Sequence, residues 1–132
     1  MSFVSFYFQC HQPFRLKKGA TLGVPFDDGL DQRILDQVAE RCYLPANAMF
    51  GRLIQEHDDF RFSLSITGVL LEQARRFHPE LIKSFQALAD LSRETGRIEF
   101  LGETYYHSLA GLFRDGNKEE FKAQIELQSE LL

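Results

Sequence analysis

Three segments of this chain alternate apolar and polar residues with a period of two, and that alternation restricts the fold more than any other feature. In residues 3–10, FVSFYFQC, the even positions Val4, Phe6 and Phe8 are apolar, against Ser5, Tyr7 and Gln9, with His11 next on the polar side. In residues 60–67, FRFSLSIT, the apolar set Phe60, Phe62, Leu64 and Ile66 opposes Arg61, Ser63, Ser65 and Thr67. In residues 97–103, RIEFLGE, Ile98 and Phe100 oppose Arg97, Glu99 and Glu103, and Leu101 breaks the pattern. Successive side chains on a strand point to opposite faces, so each segment reads as a strand with one face on a core and the other polar.

Helical spacing fills the intervals. Leu30, Ile34, Leu35 and Val38 predict one helix, and after a break at Cys42–Pro45 a second runs through Met49, Phe50, Leu53 and Ile54. Thr67-Gly68 opens a helix through Val69, Leu70, Ala74 and Phe77. Pro79 then sits where a first-turn proline is tolerated, Leu81, Ile82, Phe85, Leu88 and Ala89 carry the next helix, and Gly96 stops it. Asp115-Gly116 reads as a turn, Asn117 with Glu120 as a capping box, and Phe121, Ile125, Leu127 and Leu132 as the apolar residues of a last helix. Residues 17–29, with three glycines and a proline, read as a long irregular connection, in which Asp27-Asp28 is a turn or a polar contact.

Strands alternating with helices predict an α/β chain with parallel pairing and right-handed crossovers. A doubly wound sheet buries both faces and reads as continuous apolar runs, which these strands do not. Two architectures remain, an antiparallel sheet with one solvated face and a parallel barrel with a polar lumen. The long helical crossovers favour the barrel. Three strands do not close one, since about eight are usual, and no Gly, Asn or Pro stop follows the last helix before Leu132. The expectation is therefore a partial parallel (β/α) barrel, and either the terminus is genuine and unusually abrupt or residues 1–132 are the front portion of a longer protein. Such a chain exposes an unfinished sheet edge and is expected to self-associate.

Charge and cysteine usage narrow the function. Lys plus Arg number 15 and Asp plus Glu 19, a net charge of −4 with no basic stripe, which argues against a nucleic-acid partner. The apolar start is short, broken by Ser and Gln, and followed rather than preceded by its charges, so it reads as neither signal peptide nor membrane span. Cys10 and Cys42 show no CxxC spacing and read as free thiols of a cytoplasmic protein.

In the barrel reading, His11 and Glu103 meet at the carboxyl ends of strands one and three, with Glu99 one pleat deeper. Such a set suits sugar hydroxyls, proton transfer or a metal. The plain alternative is that His11 caps a loop while the glutamates pair with Arg61 and Arg97. Glu103 and His107 are spaced i, i+4, so a helical TYYHS would put two metal donors on one face. His57 and His78 read as solvated helix ends. Tyr105 and Tyr106 offer aromatic faces on which pyranose rings stack, or pack under a loop.

Two stretches resemble conserved motifs of glycoside hydrolase family 57, the α-amylases, 4-α-glucanotransferases and branching enzymes. FQCHQPFRL, residues 8–16, is similar to the first, with its His-Gln-Pro hallmark, and GRIEFLGETYYHSLAGLF, residues 96–113, is similar to the second, including an amylase-like Glu-Thr-Tyr-Tyr-His-Ser extension. The resemblance implies a retaining α-glucan-active glycosidase on an incomplete (β/α)7 barrel, acting on starch- or glycogen-type polysaccharide without metal or organic cofactor. It implies substrate contacts at His11 and Glu99, with Gln12 beside them in His-Gln-Pro, and further ones at Glu103, Tyr106 and His107. Retaining hydrolysis needs two carboxyl groups about 5 Å apart. In the family the nucleophilic Glu and acid/base Asp belong to later motifs, expected beyond Leu132, so this chain alone is expected to hydrolyse nothing. The alternatives are a metal-dependent deacetylase-like partial barrel using His11, Glu103 and His107, and a non-catalytic carbohydrate-binding remnant.

Overall fold

Parallel pairing of three strands organises the chain. A computed structural model describes residues 4–19, 23, 25–112, 114 and 118–131. Strands β1 (Tyr7–Cys10), β2 (Phe62–Ile66) and β3 (Ile98–Phe100) form one sheet in the order β1-β2-β3, both pairs parallel. An antiparallel sheet is thereby excluded. Helices α1 (Asp28–Val38) and α2 (Leu44–Glu56) connect β1 to β2, and α3 (Gly68–Phe77) and α4 (Pro79–Thr95) connect β2 to β3. A 3-10 turn at Leu109–Leu112 and α5 (Glu119–Ser129) follow. None of these helices is long and apolar enough to cross a membrane.

The even-numbered face of the sheet is the core. Phe62, Leu64, Ile66 and Ile98 are buried there with Cys10, against Leu35, Phe50, Ile54, Leu70, Leu81 and Leu88 of the helices. Aromatic packing joins strands to α2: the Phe50 ring lies 4.7 Å from both Phe8 and Phe62, in tilted arrangements that suit the ring quadrupoles. The strands are shorter than the alternation predicts. Val4 and Phe6 precede β1 and are 76% and 45% exposed, because β1 pairs with β2 alone and its register begins at Tyr7 opposite Ser63. Position 3 of the predicted strand lies outside the described residues.

The predicted break at Cys42–Pro45 is instead a continuous helix with a widened turn. Residues Ala39–Tyr43 take π-helical geometry, and the Leu44 N–H reaches back five residues to the Ala39 carbonyl. Pro45 has no N–H to offer and its ring crowds the preceding turn, so the chain absorbs it at the start of α2. Other helix signals act as expected. The Thr67 side chain caps α3, Pro79 opens α4, His57 and His78 terminate α2 and α3, and Gly96 ends α4 in the left-handed conformation at φ +62°. Asp27 caps α1 by accepting from the Leu30 N–H, and Asp28 pairs with Arg76. Both cysteines are free.

Helix α5 forms, but not on the apolar face its sequence suggests. Ile125 and Leu127 are 44% and 43% exposed, whereas Gln124 and Gln128 are buried. The Gln128 amide accepts from the Gly68 N–H at 2.8 Å and donates to the Ile66 carbonyl at 2.9 Å, completing backbone groups that the end of β2 leaves unpaired. Gln124 accepts from the Tyr105 and Tyr106 N–H groups through its carbonyl and its side chain. Leu132, the Asp115-Gly116 turn and the Asn117 cap lie outside the described residues.

Gly68 is the tightest point of this junction. A Cβ there would lie 2.2 Å from the Tyr105 ring. Gly68→Ala therefore forces out a half-buried ring that covers the start of α3, and the expected cost is about 1–3 kcal/mol. Urea unfolding checks this, with Gly102→Ala, where a Cβ meets nothing within 4 Å, staying within about 0.5 kcal/mol of the parent.

Candidate functional site at the carboxyl ends of the strands

The register of the sheet sorts the odd-numbered side chains into rows. Tyr7, Ser63 and Glu99 share the first, Gln9 and Ser65 the next, and His11 and Thr67 follow immediately beyond the strands. Hydrogen bonds knit the rows. Ser63 donates to Glu99 Oε2 at 3.2 Å, Tyr7 and Ser65 hydroxyls are 2.7 Å apart, and His11 Nδ1 lies 3.0 Å from Thr67 Oγ1. At roughly 3.3 Å per residue, the four residues from Ser63 to Thr67 place Glu99 about 13 Å below His11 along the strands.

The segment after β3 closes over the upper rows. Gln9 Nε2 donates to Glu103 Oε2 at 2.9 Å and lies 2.6 Å from His107 Nδ1. His107 Nδ1 is 3.4 Å from Glu103 Oε2, and its ring centroid lies 5.0 Å from that of His11. Glu103 and His107 thus meet as the i, i+4 spacing suggests, but across a turn rather than on a helix. The His107 N–H donates to the Thr104 carbonyl at 3.0 Å, Thr104 Oγ1 accepts from the Ser108 N–H at 2.8 Å, and His107 sits at φ +52°. The Glu103 side chain is 9% exposed, and its Oε1 is buried with no hydrogen-bond partner among the described residues.

The two tyrosines part company. Tyr105 turns toward α3, where its hydroxyl donates to Glu72 and its pKa is pushed up to about 12 by burial and that carboxylate. Tyr106 is 49% exposed and packs edge-on against Tyr105 at 4.7 Å, which leaves a ring available at the surface. Gln12 is half-buried in the loop after β1. Its Oε1 accepts from Arg15 at 2.9 Å and its carbonyl from Gln73 at 2.7 Å, while Tyr43 donates to the His11 carbonyl. The loop is anchored below by Asp31, fully buried, which accepts from both the backbone N–H and the guanidinium of Arg15. A buried carboxylate needs such a partner, and here one arginine supplies it twice.

Among the described residues, no three His, Cys, Asp or Glu side chains are grouped to hold a metal ion. The Nδ1 atoms of His11 and His107 already face Thr67 and Gln9. Burial pushes the Cys10 thiol up to about 12. Sequence reasoning overlooked Gln9 and Thr67 as site residues. Both lie on the polar face it identified, and counting rows upward from Glu99 reaches them.

Burial and the neighbouring His107 hold the His11 pKa below its ordinary value of 6.5, against a smaller upward pull from Glu103. The unfolded chain therefore binds a proton at His11 that the folded chain resists. This contribution is fully present above about pH 6.5 and is lost as pH falls through the depressed folded value. Chemical unfolding across that range is expected to show stability falling more steeply in the parent than in His11→Gln.

Comparison with known proteins gives a consistent answer. The model of glycosyl hydrolase family 57 matches residues 5–132. A Methanocaldococcus jannaschii protein described as a candidate alpha-amylase is 37% identical over 134 residues, covering 97% of this chain and 27% of that protein. The crystal structure of 4-alpha-glucanotransferase from Thermococcus litoralis shares the fold at a TM-score of 0.61 and 19% identity, over 96% of this chain and 16% of its own. This chain thus spans a little over a quarter of the curated relative it matches. With a family match that runs from Ser5 to the last residue and carries both the His-Gln-Pro and the Gly-Arg-Ile-Glu stretches, the chain belongs to glycosyl hydrolase family 57.

Proposed function

We propose that these residues form the glucan-contacting wall of an α-glucan-active glycoside hydrolase, the first βα units of a partial (β/α)7-type barrel whose lumen is the polar face of the sheet. One observation carries the reading: Gln9, His11, Glu103 and His107 converge at the carboxyl ends of parallel strands. That is where enzymes of parallel barrel type build their sites. A ladder of hydroxyls, amides, imidazoles and carboxylates suits a polyhydroxylated ligand, and an aromatic face suits its apolar ring surface. Membership of family 57 and the names of the two relatives point the same way.

In this reading His11, neutral because it is desolvated, uses Nε2 on a sugar hydroxyl while Thr67 holds Nδ1. Glu99, exposed in the deepest row, accepts from hydroxyls deeper in the cleft. Tyr106 stacks on a sugar ring, Glu103 and His107 line the mouth, and Gln12 sets the height of the loop bearing His11. A ligand touching both His11 and Glu99 extends about 13 Å along the strands, which fits an oligosaccharide better than a single sugar.

The reading assigns contact, not turnover. Retaining hydrolysis requires two carboxyl groups about 5 Å apart, acting as nucleophile and acid/base. Glu99 is engaged by Ser63 and Glu103 by Gln9, in different layers of the site. The 132-residue chain is expected to bind maltooligosaccharides and release no reducing sugar from soluble starch. Titration calorimetry with maltotriose should give a saturable signal that falls at least tenfold in His11→Ala. Turnover of starch by the isolated chain, lost in Glu99→Gln, would sink the assignment.

A further inference from the structure

We propose that Gln9 is a positioning residue, fixing His107 in the tautomer that carries its proton on Nε2. The inference rests on the glucan-site reading only for its purpose, since the geometry stands without a ligand.

The side-chain nitrogen of Gln9 has two hydrogens and two neighbours, Glu103 Oε2 at 2.9 Å and His107 Nδ1 at 2.6 Å. Which end of the amide faces them is settled by chemistry. An ionised carboxylate only accepts, so a flipped amide would set two acceptors 2.9 Å apart. With the nitrogen in place, its second N–H points at His107 Nδ1. That atom must then offer a lone pair, because two N–H groups cannot meet head-on at 2.6 Å. The neutral ring's proton is therefore on Nε2.

Glu103 would choose the opposite tautomer. Its Oε2 lies 3.4 Å from the same Nδ1, and a carboxylate beside an imidazole draws a proton to the facing nitrogen. Gln9 stands between the two and satisfies both as a donor. The backbone that carries the ring is fastened: His107 occupies the left-handed region at φ +52°, held by the two Thr104 hydrogen bonds. A residue other than glycine kept there marks a position whose geometry the surroundings impose. The outcome is a hydrogen-bond donor at Nε2 of a half-exposed ring, beside His11, facing whatever hydroxyl or ring oxygen a sugar brings.

Nitrogen-15 NMR of the imidazoles tests this on the 132-residue chain, at about pH 8 where ordinary imidazoles are neutral. The parent should show His107 protonated on Nε2. Gln9→Leu, at an exposed position, should switch it to Nδ1, since Glu103 becomes the only partner left among the described residues. Glu103→Gln should leave it on Nε2, because Gln9 still donates. A merely structural role for Gln9 would not move the proton. An Nδ1 proton in the parent, or no switch in Gln9→Leu, overturns the proposal. Adding maltotriose to the same samples separates the underlying reading. It should shift the His107 Nε2–H resonance in the parent and not in Gln9→Leu. The expected tautomers with no response to sugar would uphold Gln9 and overturn the glucan site.

Discussion

The buried hydroxyl of Thr67 joins the sheet, a helix and the site at one point. The residue is fully buried at the end of β2, and its N–H donates to the Cys10 carbonyl at 3.1 Å, the last rung tying β2 to β1. Its Oγ1 caps α3 by accepting from the Leu70 N–H and stands 3.0 Å from His11 Nδ1. One residue therefore ends a ladder, starts a helix and orients the imidazole. Gly68 follows because the next position has room for nothing larger beneath Tyr105, and its N–H is completed by Gln128 from α5. From this junction the Val69 N–H donates to the Tyr105 carbonyl at 3.2 Å, which ties down the loop after β3 that carries Glu103 and His107.

That arrangement divides labour between apolar and polar faces of the same strands. Burial of Phe62, Leu64 and Ile66 with the helix residues packed on them stabilises the fold, since fully burying such a side chain contributes about 1.5–3 kcal/mol. The hydrogen bonds on the other face contribute about 0.5–1.5 kcal/mol each. Their value is geometric: they hold side chains from β1, β2 and the segment after β3 at fixed separations, on elements that the core keeps rigid.

Much of this was legible in the sequence, and the misses have identifiable causes. Period-two alternation named the core and polar faces correctly because residue spacing alone sets strand facing. Helical crossovers gave parallel pairing. Strand ends were not legible, since they depend on how far a partner extends: β3 is only Ile98–Phe100 because pairing to β2 gives out. The widened turn at Ala39–Tyr43 looked like a break because proline usually means one. Helix α5 misled for a different reason. Its buried residues are glutamines that serve the backbone of other elements, and no hydrophobic pattern announces a buried polar face. Gln9 was passed over because its partners lie 94 and 98 residues away, contacts that only the register reveals.

The spacing of Glu103 and His107 shows why a correct pairing can be reached through an incorrect element. Residues four apart approach on a helix, and they also approach when a tight turn folds the chain back, as Thr104 makes it do here. The two cases differ in consequence. On a helix both side chains would project in parallel and be free to converge on a metal. Across this turn Glu103 Oε2 and His107 Nδ1 face each other and Gln9, while Glu103 Oε1 and His107 Nε2 keep no hydrogen-bond partner among the described residues. A site whose side chains are held by one another and backed by a packed sheet is preorganised: a ligand orders few side chains, and affinity is lost chiefly where that holding framework is loosened.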